Sequence, residues 1–376
     1  MIQLNKPVYH PEAYENVKRV LDSGWTGLGP ETAKFEEEFA NYIGAKYAIG
    51  LSSGTEALRL ALEAADPTEG SYAITTPNTF VSTNHVLLQK KLVPLFADID
   101  AGTGSIDVNS VIKLIDKHED KIKTLMVVHY GGNPADIGHL RKIAEHYKLI
   151  LIEDCAHACG ATFHDEMIGS RGKYNCFSFH AVKNLSMGDG GAITTDSEEV
   201  YNKVRQLRWL GIDKGTADRT TGTSYSWDYD CPIVGFKSHM NDITAAIGRG
   251  QLLHLDEDNA HRAELVDRYY SNILYMNRID IVNKKRPDRV SSNHLFVVRF
   301  PNHVVKDHVM EVLKTAQIGF GYHYRPNYFY DPYTLCEVES AIGMRMFFDT
   351  ALTIPLHLGM DAHDVDLVCD IIREAL

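Results

Sequence analysis

The chain has 376 residues, an apolar fraction of 44%, a charged fraction of 23% and a formal net charge of −12. This length and composition are typical of a soluble globular protein with two domains, or with one large and one smaller domain. The acidic balance and the lack of a basic tract in the sequence argue against nucleic acid as a partner.

The sequence shows neither a signal-peptide pattern nor a membrane-spanning pattern. The first residues, MIQLNKPVYHPEAY, carry no apolar run of signal-peptide length, and nothing later approaches the roughly 20 apolar residues of a membrane span. We therefore expect a cytoplasmic protein with no membrane partner. The six cysteines show no Cys-x-x-Cys spacing, which predicts reduced thiols. No zinc-type spacing occurs either, so we predict no metal.

The first half of the chain alternates between two patterns. Helical spacing and apolar runs predict helices at 12–21, 31–43, 56–65, 81–89, 108–117 and 137–147, and strands at 47–50, 73–77, 92–97, 124–128 and 149–152. Short apolar strands between helices indicate an α/β fold, with a mostly parallel sheet covered on both faces. In such sheets ligands bind beyond the carboxyl ends of the strands.

The pattern changes in the last third of the chain. After predicted helices at 198–209 and 241–255, the sequence predicts separate strands at 294–300, 321–324 and 352–355 and helices at 305–315 and 365–375. This change predicts a large domain of residues 1–249, including an N-terminal segment, and a smaller C-terminal α+β domain of residues 250–376.

The most informative stretch is CFSFHAVKNLSMGDGG, from Cys176 to Gly191, with Lys183 near its centre. The start of this stretch is predicted to be a short strand whose alternation places Ser178 and His180 on one face. Glycines follow, where the backbone can turn tightly. A free lysine amine has a pKa of about 10.4 and is a nucleophile only when it is desolvated or condensed with a carbonyl. With the groups described next, we predict that Lys183 is catalytic.

The loop LSSGT joins the first predicted strand to a strongly helical segment. Ser53, Gly54 and Thr55 would present free backbone N–H groups, and the positive end of the helix, to an anion such as phosphate. The simpler alternative is that Ser53 or Thr55 only caps the helix. The loop also matches Gly-x-Ser-x-Gly, so a serine hydrolase with Ser52 as its nucleophile is a second hypothesis.

Further polar and aromatic residues follow predicted strand ends, namely Phe80, Asp154 and His157. With the loop, Ser178 and Lys183, they supply what pyridoxal 5'-phosphate needs. These needs are a phosphate cradle, a flat stacking partner, an anion for the pyridine nitrogen, a partner for the ring oxygen and an amine for the aldehyde. No Gly-x-Gly-x-x-Gly occurs, which disfavours a nicotinamide cofactor. We predict pyridoxal 5'-phosphate as the cofactor.

The sequence resembles the sugar aminotransferases of the DegT/DnrJ/EryC1/StrS family. The matching segments span nearly the whole chain in order: SSGTEALRLAL, TPNTFVSTN, LFADID, HYGGNPADI, LIEDCAHACG, FSFHAVKNLSMGDGGAITT, MNDITAAIG and IPLHLGM. The resemblance implies the type I fold of pyridoxal phosphate enzymes and a homodimer with shared active sites. It also implies transfer of an amino group from an amino acid, by resemblance glutamate, to a nucleotide-linked keto-deoxy sugar in polysaccharide or glycoconjugate biosynthesis.

The resemblance assigns a role to each candidate residue. Lys183 would condense with the cofactor aldehyde, Asp154 would face the pyridine nitrogen, and His157 would lie near the ring hydroxyl. Phe80 would stack on the ring. The phosphate would be held by Gly54, Thr55 and Ser178, and Asn241 would reach the phosphate bound by the partner subunit. Some relatives carry histidine in place of the lysine and act as dehydratases, so Lys183 favours transamination.

The substrate contacts are less well defined by the sequence. We expect contacts with the sugar from Trp25, Thr26, Gly27, His323 and Tyr324, although ordinary packing explains each of them equally well. Asp189 stands where the family more often has glutamate, and Ser238 replaces an aromatic residue. The composition of residues 215–229 is also unusual. A non-catalytic protein that binds the cofactor on the same scaffold remains a third hypothesis.

Overall fold

The computed structural model describes residues 1–213, 228–276, 278–282 and 284–376, together with the backbone of two short strands between residues 220 and 225. Its helices are α1 Pro11–Ser23, α2 Pro30–Ile43, α3 Gly54–Ala65, α4 Val81–Gln89, α5 Val108–His118, α6 Ile137–His146, α7 Glu198–Leu207, α8 Asp242–Leu252, α9 Leu255–Ile273, α10 His303–Thr315, α11 Ile342–Thr350 and α12 Ala362–Glu374. Most of the unusual stretch at 215–229 lies outside the described residues.

The strands are short and are spread over the whole chain. They are β1 Tyr47–Leu51, β2 Tyr72–Thr75, β3 Val93–Phe96, β4 Ile122–Val128, β5 Ile150–Asp154, β6 Thr162–Phe163, β7 Glu166–Met167, β8 Asn175–Ser178, β9 Gly191–Thr195, β10 Thr220–Thr221, β11 Ser224–Tyr225, β12 Asp280–Ile281, β13 Arg289–Val290, β14 Phe296–Arg299, β15 Glu337–Val338 and β16 Ala351–Ile354.

Eight strands form the main sheet, in the order β1-β9-β8-β5-β4-β2-β3-β15. Only β9 runs antiparallel to its neighbours, β1 and β8. The prediction of a mostly parallel sheet is therefore confirmed. Because β4, β5 and β8 are adjacent and parallel, their carboxyl ends lie side by side. The residues that follow these strands are brought together there, as expected for such sheets.

The sheet is buried on both faces. Successive residues of β4 alternate between two apolar clusters, with Leu125 and Val127 in one cluster and Met126 in the other. The first cluster also contains Phe35 of α2, and the second contains residues of α3. Helices therefore cover both faces, which is why the strands read as continuous apolar runs.

A third apolar cluster is built from α9, α10, α12, β14 and β16. The predicted domain boundary between residues 249 and 250 falls inside α8, and Ala245 of that helix packs in the core of the main sheet. Along α9, Leu255 contacts the main core and Leu265 belongs to the third cluster. We propose that the chain passes from the large to the small domain along α9.

The structure corrects one predicted strand and adds two helices. The strand expected at 321–324 does not form, and Gly321 makes only an isolated bridge to Thr353. The chain then turns away, and the N–H of Tyr324 donates to Oδ1 of Asn78 at 2.9 Å. Helices α9 and α11 were not predicted. None of the described helices is long and apolar enough to cross a lipid bilayer.

Candidate active site

A cavity of about 510 Å³ opens at the carboxyl ends of β4, β5 and β8. This volume is in the range of sites for small ligands and cofactors. The predicted site residues that line it are Ser53, Gly54, Thr55, Phe80, Asp154, His157, Ser178, Lys183, His323 and Tyr324. The structure thus brings together the groups that the sequence places after separate strands.

Asp154 is the last residue of β5 and is only 4% exposed. Its Oδ2 accepts a hydrogen bond from the Thr83 hydroxyl at 2.8 Å, and its Oδ1 accepts from the N–H of Ala156 at 3.1 Å. Burial raises the pKa of the Asp154 carboxyl, whereas the two donors and the Lys183 amine act in the opposite direction. The two hydrogen bonds therefore fix the orientation of the carboxylate and offset part of the effect of burial.

Lys183 lies in the turn after β8. Its N–H donates to the carbonyl of His180 at 2.8 Å, and the N–H of Ala181 donates to the carbonyl of Gly188 at 3.0 Å. Gly188 has φ of +83°, a conformation that favours glycine. Burial lowers the pKa of Lys183 to about 8, although the nearby Asp154 carboxylate raises it. The amine is consequently closer to its nucleophilic, neutral form than an exposed lysine is.

The residue after the lysine anchors this turn to the rest of the protein. Asn184 Nδ2 donates to Oδ1 of Asn259 and to the carbonyl of Ser292, both at 2.7 Å. Its Oδ1 lies 3.0 Å from Nδ1 of His294. Because an amide oxygen only accepts, this ring nitrogen carries the proton. The lysine turn is thus held by two segments from beyond residue 250.

The first turn of α3 forms one wall of the cavity. Ser53 caps the helix, since its hydroxyl accepts from the N–H of Glu56 at 3.2 Å. The N–H groups of Gly54 and Thr55 belong to the first helical turn, where no carbonyl precedes them within the helix. A Cβ on Gly54 would lie 2.6 Å from Cβ of Ser178, so glycine is required for this close approach. These backbone groups and the Ser178 hydroxyl suit a phosphate group.

The ring of His157 is held in one tautomer. Its Nδ1 accepts from the N–H of Gly131 at 3.2 Å, so the proton of the neutral ring lies on Nε2. Nε2 is 3.1 Å from the hydroxyl of Tyr324. Burial, and then the Lys183 charge, lower the pKa of His157 well below its ordinary value. His157 therefore offers a neutral N–H donor at the cavity wall.

An aromatic residue faces the same space. Phe80 is 58% exposed, although it is a large apolar side chain, and its ring centroid lies 6.3 Å from that of Tyr324. Its exposed surface is part of the cavity wall. A flat ligand in the cavity would bury this ring, and this arrangement fits the pyridine ring of pyridoxal phosphate.

Four predicted site residues lie outside this cavity. Asn241 precedes α8, and its Oδ1 accepts from the N–H of Thr244 at 2.9 Å. The loop that contains Trp25, Thr26 and Gly27 lies next to it, since the carbonyl of Gly27 accepts from the N–H of Asp242 at 2.8 Å. Trp25 Nε1 donates within the loop, to the carbonyl of Leu28 at 3.3 Å. The binding roles of these four residues remain predictions.

The position of Ser52 does not match that of a catalytic serine. It is exposed and is not part of the cavity wall. Among the hydrogen bonds of the described residues, none joins its hydroxyl to a histidine. The strand-loop-helix geometry that matched Gly-x-Ser-x-Gly instead serves the first turn of α3.

Among the described residues, one buried group of metal-binding residue types is formed by His129, Glu153 and Cys155. Glu153 is already paired, with His129 Nε2 at 3.1 Å and with Arg141 Nε at 3.0 Å. The cluster is therefore explained by an ion-pair network, and the absence of a metal remains a prediction.

The profile of the DegT/DnrJ/EryC1/StrS aminotransferase family matches residues 8–373 of the chain. The chain belongs to this family. The spore coat polysaccharide biosynthesis protein SpsC of Bacillus subtilis (strain 168) is 34% identical over 376 residues, which cover 98% of this chain and 95% of SpsC.

Solved structures of similar proteins agree with the family. The structure of DesV from S. venezuelae in complex with a ketimine intermediate superposes with a TM-score of 0.86 and 30% identity, covering 96% of this chain and 94% of DesV. The PMP form of Spr1654 from Streptococcus pneumoniae gives a TM-score of 0.91 and 25% identity, over 100% and 99% of the two chains. The DegT/DnrJ/EryC1/StrS protein described here is therefore a pyridoxal phosphate-dependent aminotransferase with the type I fold.

The sequence did not point to three residues around the site of this DegT/DnrJ/EryC1/StrS protein. Thr83, Asn184 and His294 each contact a predicted site residue or the turn that carries it. Thr83 looks like an ordinary residue of the first turn of α4, and His294 lies far away in sequence. Only for Asn184 could the sequence have indicated a role at the site, because it directly follows Lys183.

Proposed function

We propose that this aminotransferase moves the amino group of an amino acid, by family resemblance glutamate, to a nucleotide-linked keto-deoxy sugar in polysaccharide or glycoconjugate biosynthesis. The observation that carries the proposal is the shared cavity of Lys183 and Asp154, with the phosphate-type cradle of α3 in its wall. SpsC is named as a polysaccharide biosynthesis protein, and some of the solved structures that match the chain are described as sugar aminotransferases. Both support a sugar as the acceptor.

The cavity fits the cofactor group by group. Gly54, Thr55 and Ser178 would bind the phosphate, Phe80 would pack on the ring, and Asp154 would hold the proton of the ring nitrogen. His157 would donate from Nε2 to the ring oxygen. Pyridoxal phosphate supplies an aldehyde that takes up the amino group and a ring that withdraws electrons.

Lys183 would have two tasks in this reaction. Its amine would first hold the cofactor through the aldehyde, and the amino donor would release it. The freed amine would then take the proton from Cα of the donor, and later return a proton to the acceptor. Such positioned proton transfer typically contributes 10²- to 10⁴-fold to a rate. The lowered pKa of Lys183, about 8, is suited to this work near neutral pH.

We further propose a homodimer in which each site is completed by the partner subunit. Asn241 and the loop of Trp25, Thr26 and Gly27 form one surface outside the cavity of their own chain. In a dimer this surface would face the partner's phosphate and sugar, while His323 and Tyr324 would contact the sugar from within the chain. Ser238 is bound to Glu56 and Arg59. It is therefore engaged in packing, and we assign it no sugar contact.

Reductive trapping tests the cofactor assignment. The purified protein should be yellow, and borohydride should discharge the colour and leave a stable label on Lys183. Lys183→Ala should show neither the label nor a half-reaction with glutamate. Lys142→Ala, a change at an exposed lysine of α6 that does not line the cavity, should behave like the wild type. A wild-type protein that stays colourless after cofactor is added would overturn the proposal.

The acceptor can be identified with the same spectral signal. Protein first converted to the amine form by glutamate is mixed with keto-deoxy sugars, each with and without a nucleotide. Return of the aldehyde absorption with only the nucleotide-linked sugar would support the proposed acceptor. Equal response to the free sugar would overturn the nucleotide requirement and leave the aminotransferase assignment intact.

A further inference from the structure

We propose that Thr83, supported by Thr79, is a positioning residue that holds Asp154 for the cofactor ring. Thr83 Oγ1 lies 2.8 Å from Oδ2 of Asp154, and Thr79 Oγ1 lies 2.8 Å from Thr83 Oγ1. Thr83 and Thr79 are 1% and 3% exposed, so this chain of hydroxyls is nearly shielded from bulk water. The inference rests on the proposed cofactor site.

The direction of the two hydrogen bonds follows from the chemistry of the groups. An ionised carboxylate only accepts, so the single hydroxyl proton of Thr83 is given to Asp154. Thr83 can then only accept from Thr79, which makes Thr79 the donor. Hydrogen bonds in such a chain polarise one another, and a bond to a charged acceptor is stronger than a neutral one. Both threonines therefore favour the anionic form of Asp154.

No other described side-chain hydroxyl reaches this carboxylate. The remaining donor is the backbone N–H of Ala156, on the other oxygen. The titratable and charged groups that influence Asp154, or are influenced by it, are Lys183, His129, Tyr324, Cys155 and Cys176. Among the interactions that lower the pKa of Asp154, the hydrogen bond from Thr83 is the largest, ahead of the Ala156 N–H and the charge of Lys183.

The start of α4 positions two groups that would contact the cofactor ring, Phe80 and Asp154. Phe80 lies between Thr79 and Thr83 at the start of α4, where the N–H of Thr83 donates to the carbonyl of Phe80 at 3.2 Å. The segment is fixed in turn by Asn327, whose Nδ2 donates to the carbonyl of Thr79 at 2.8 Å. The start of α4 thus sets the ring-packing residue and the orientation of Asp154 together.

The test compares Thr83→Val, which removes the hydroxyl, with Thr83→Ser, which keeps it, in the holoenzyme. Thr124→Val is the matched control, since Thr124 is buried and its hydroxyl has no partner among the described residues. The first measurement is the acid-side midpoint in a pH titration of the absorption of the bound cofactor. In Thr83→Val we expect it to move up by roughly one pH unit, because a carboxylate that loses a donor protonates more readily.

The second measurement separates positioning from loss of stability. Thr83→Val should weaken cofactor binding by about 10-fold and slow the half-reaction with glutamate by about 10-fold at saturation, with KM for glutamate nearly unchanged. Thr79→Val should show the same changes at smaller size. Thr83→Ser and Thr124→Val should resemble the wild type.

Two outcomes would overturn the inference. The first is a Thr83→Val protein whose spectral midpoint and cofactor affinity equal those of Thr124→Val. The second is a Thr83→Ser protein as impaired as Thr83→Val despite an equal thermal midpoint. In either case a yellow, active wild type would leave the proposed function standing, whereas a wild type that binds no cofactor would remove both.

Discussion

Positive charge at the candidate site is concentrated in one residue. The imidazoles of His157, His294 and His323 all have a lowered pKa, chiefly because of burial, and for His323 the value is about 4. At neutral pH these three rings are uncharged. Among the described residues that line the cavity, Lys183 then carries the main positive charge. The phosphate would be held by backbone N–H groups and hydroxyls.

The pKa of Lys183 gives a direct pH prediction. Only the neutral amine attacks an aldehyde, so the rate at which apoprotein combines with pyridoxal phosphate should rise as the pH passes through about 8. The rate of colour formation in stopped flow measures this midpoint. Asp154 raises the pKa of Lys183, so Asp154→Asn should move the midpoint to lower pH. A midpoint near 10.5, the ordinary value for lysine, would contradict the prediction.

The sequence predicts site residues best where a charged or polar side chain directly follows an apolar strand. Lys183, Asp154 and His157 could be singled out because charged or imidazole groups directly follow apolar strands. Thr83 could not, since a threonine in the first turn of a helix is common and its partner lies 71 residues away. The sheet order, which sequence periodicity does not contain, creates this contact.

Among the elements, α8 and α2 are joined by one buried carboxylate. Oδ1 of Asp242 accepts from the N–H of Gly29 at 2.9 Å and from the N–H of Thr32 at 3.0 Å, and it also accepts the Thr32 hydroxyl. Oδ2 accepts from the N–H of Glu31 at 3.2 Å. A residue at the start of α8 thus caps the start of α2, where a negative charge also meets the positive end of the helix.

Removing this cap should destabilise the protein strongly. Asp242→Ala leaves several donors buried without a partner, and we expect the free energy of unfolding to fall by about 3 kcal/mol. Urea unfolding followed by circular dichroism measures the change. The comparison is Asp361→Ala, which removes an exposed cap from α12 and should cost only about 1 kcal/mol. Equal losses in the two variants would contradict the buried-cap explanation.

Element prediction failed where tertiary contacts decide the local structure. Helix α9 buries Asp258 and Arg262 as well as apolar residues, so its sequence shows a weak apolar stripe. Nη1 of Arg262 donates to the carbonyl of Leu356 at 3.1 Å, a contact far away in sequence. In contrast α2 shows a clear helical pattern, and its bounds agree closely with the predicted ones.

At the scale of the whole molecule, the proposed dimer predicts complementation between inactive subunits. Lys183→Ala abolishes the site of its own chain, whereas Asn241→Asp would damage only the partner's site by placing a negative charge beside the phosphate. A mixed dimer would then contain one intact site and one doubly damaged site. Random exchange in an equal mixture should restore about a quarter of wild-type activity, because half of the dimers are mixed.

The mixture is compared with each variant alone, after partial unfolding and refolding to exchange subunits. Each pure variant should remain inactive or strongly impaired, and sedimentation should show a dimer in all three samples. No gain of activity in a mixture that sedimentation shows to be dimeric would contradict shared sites. A monomer in the wild type would contradict the dimer itself.

The edge strand β15 limits how the molecule can move. Glu337 and Val338 extend the main sheet by pairing with Leu95 and Phe96. Both lie within residues 250–376, which the sequence predicts to form the small domain. At the other end of the sequence, Ile2 is hydrogen-bonded to Gln317 and Gly319 on both sides of a single bridge. If the two predicted domains moved far apart, both contacts would have to break. We therefore expect that ligands enter and leave through a local rearrangement near Phe80, rather than through a hinge motion of the domains.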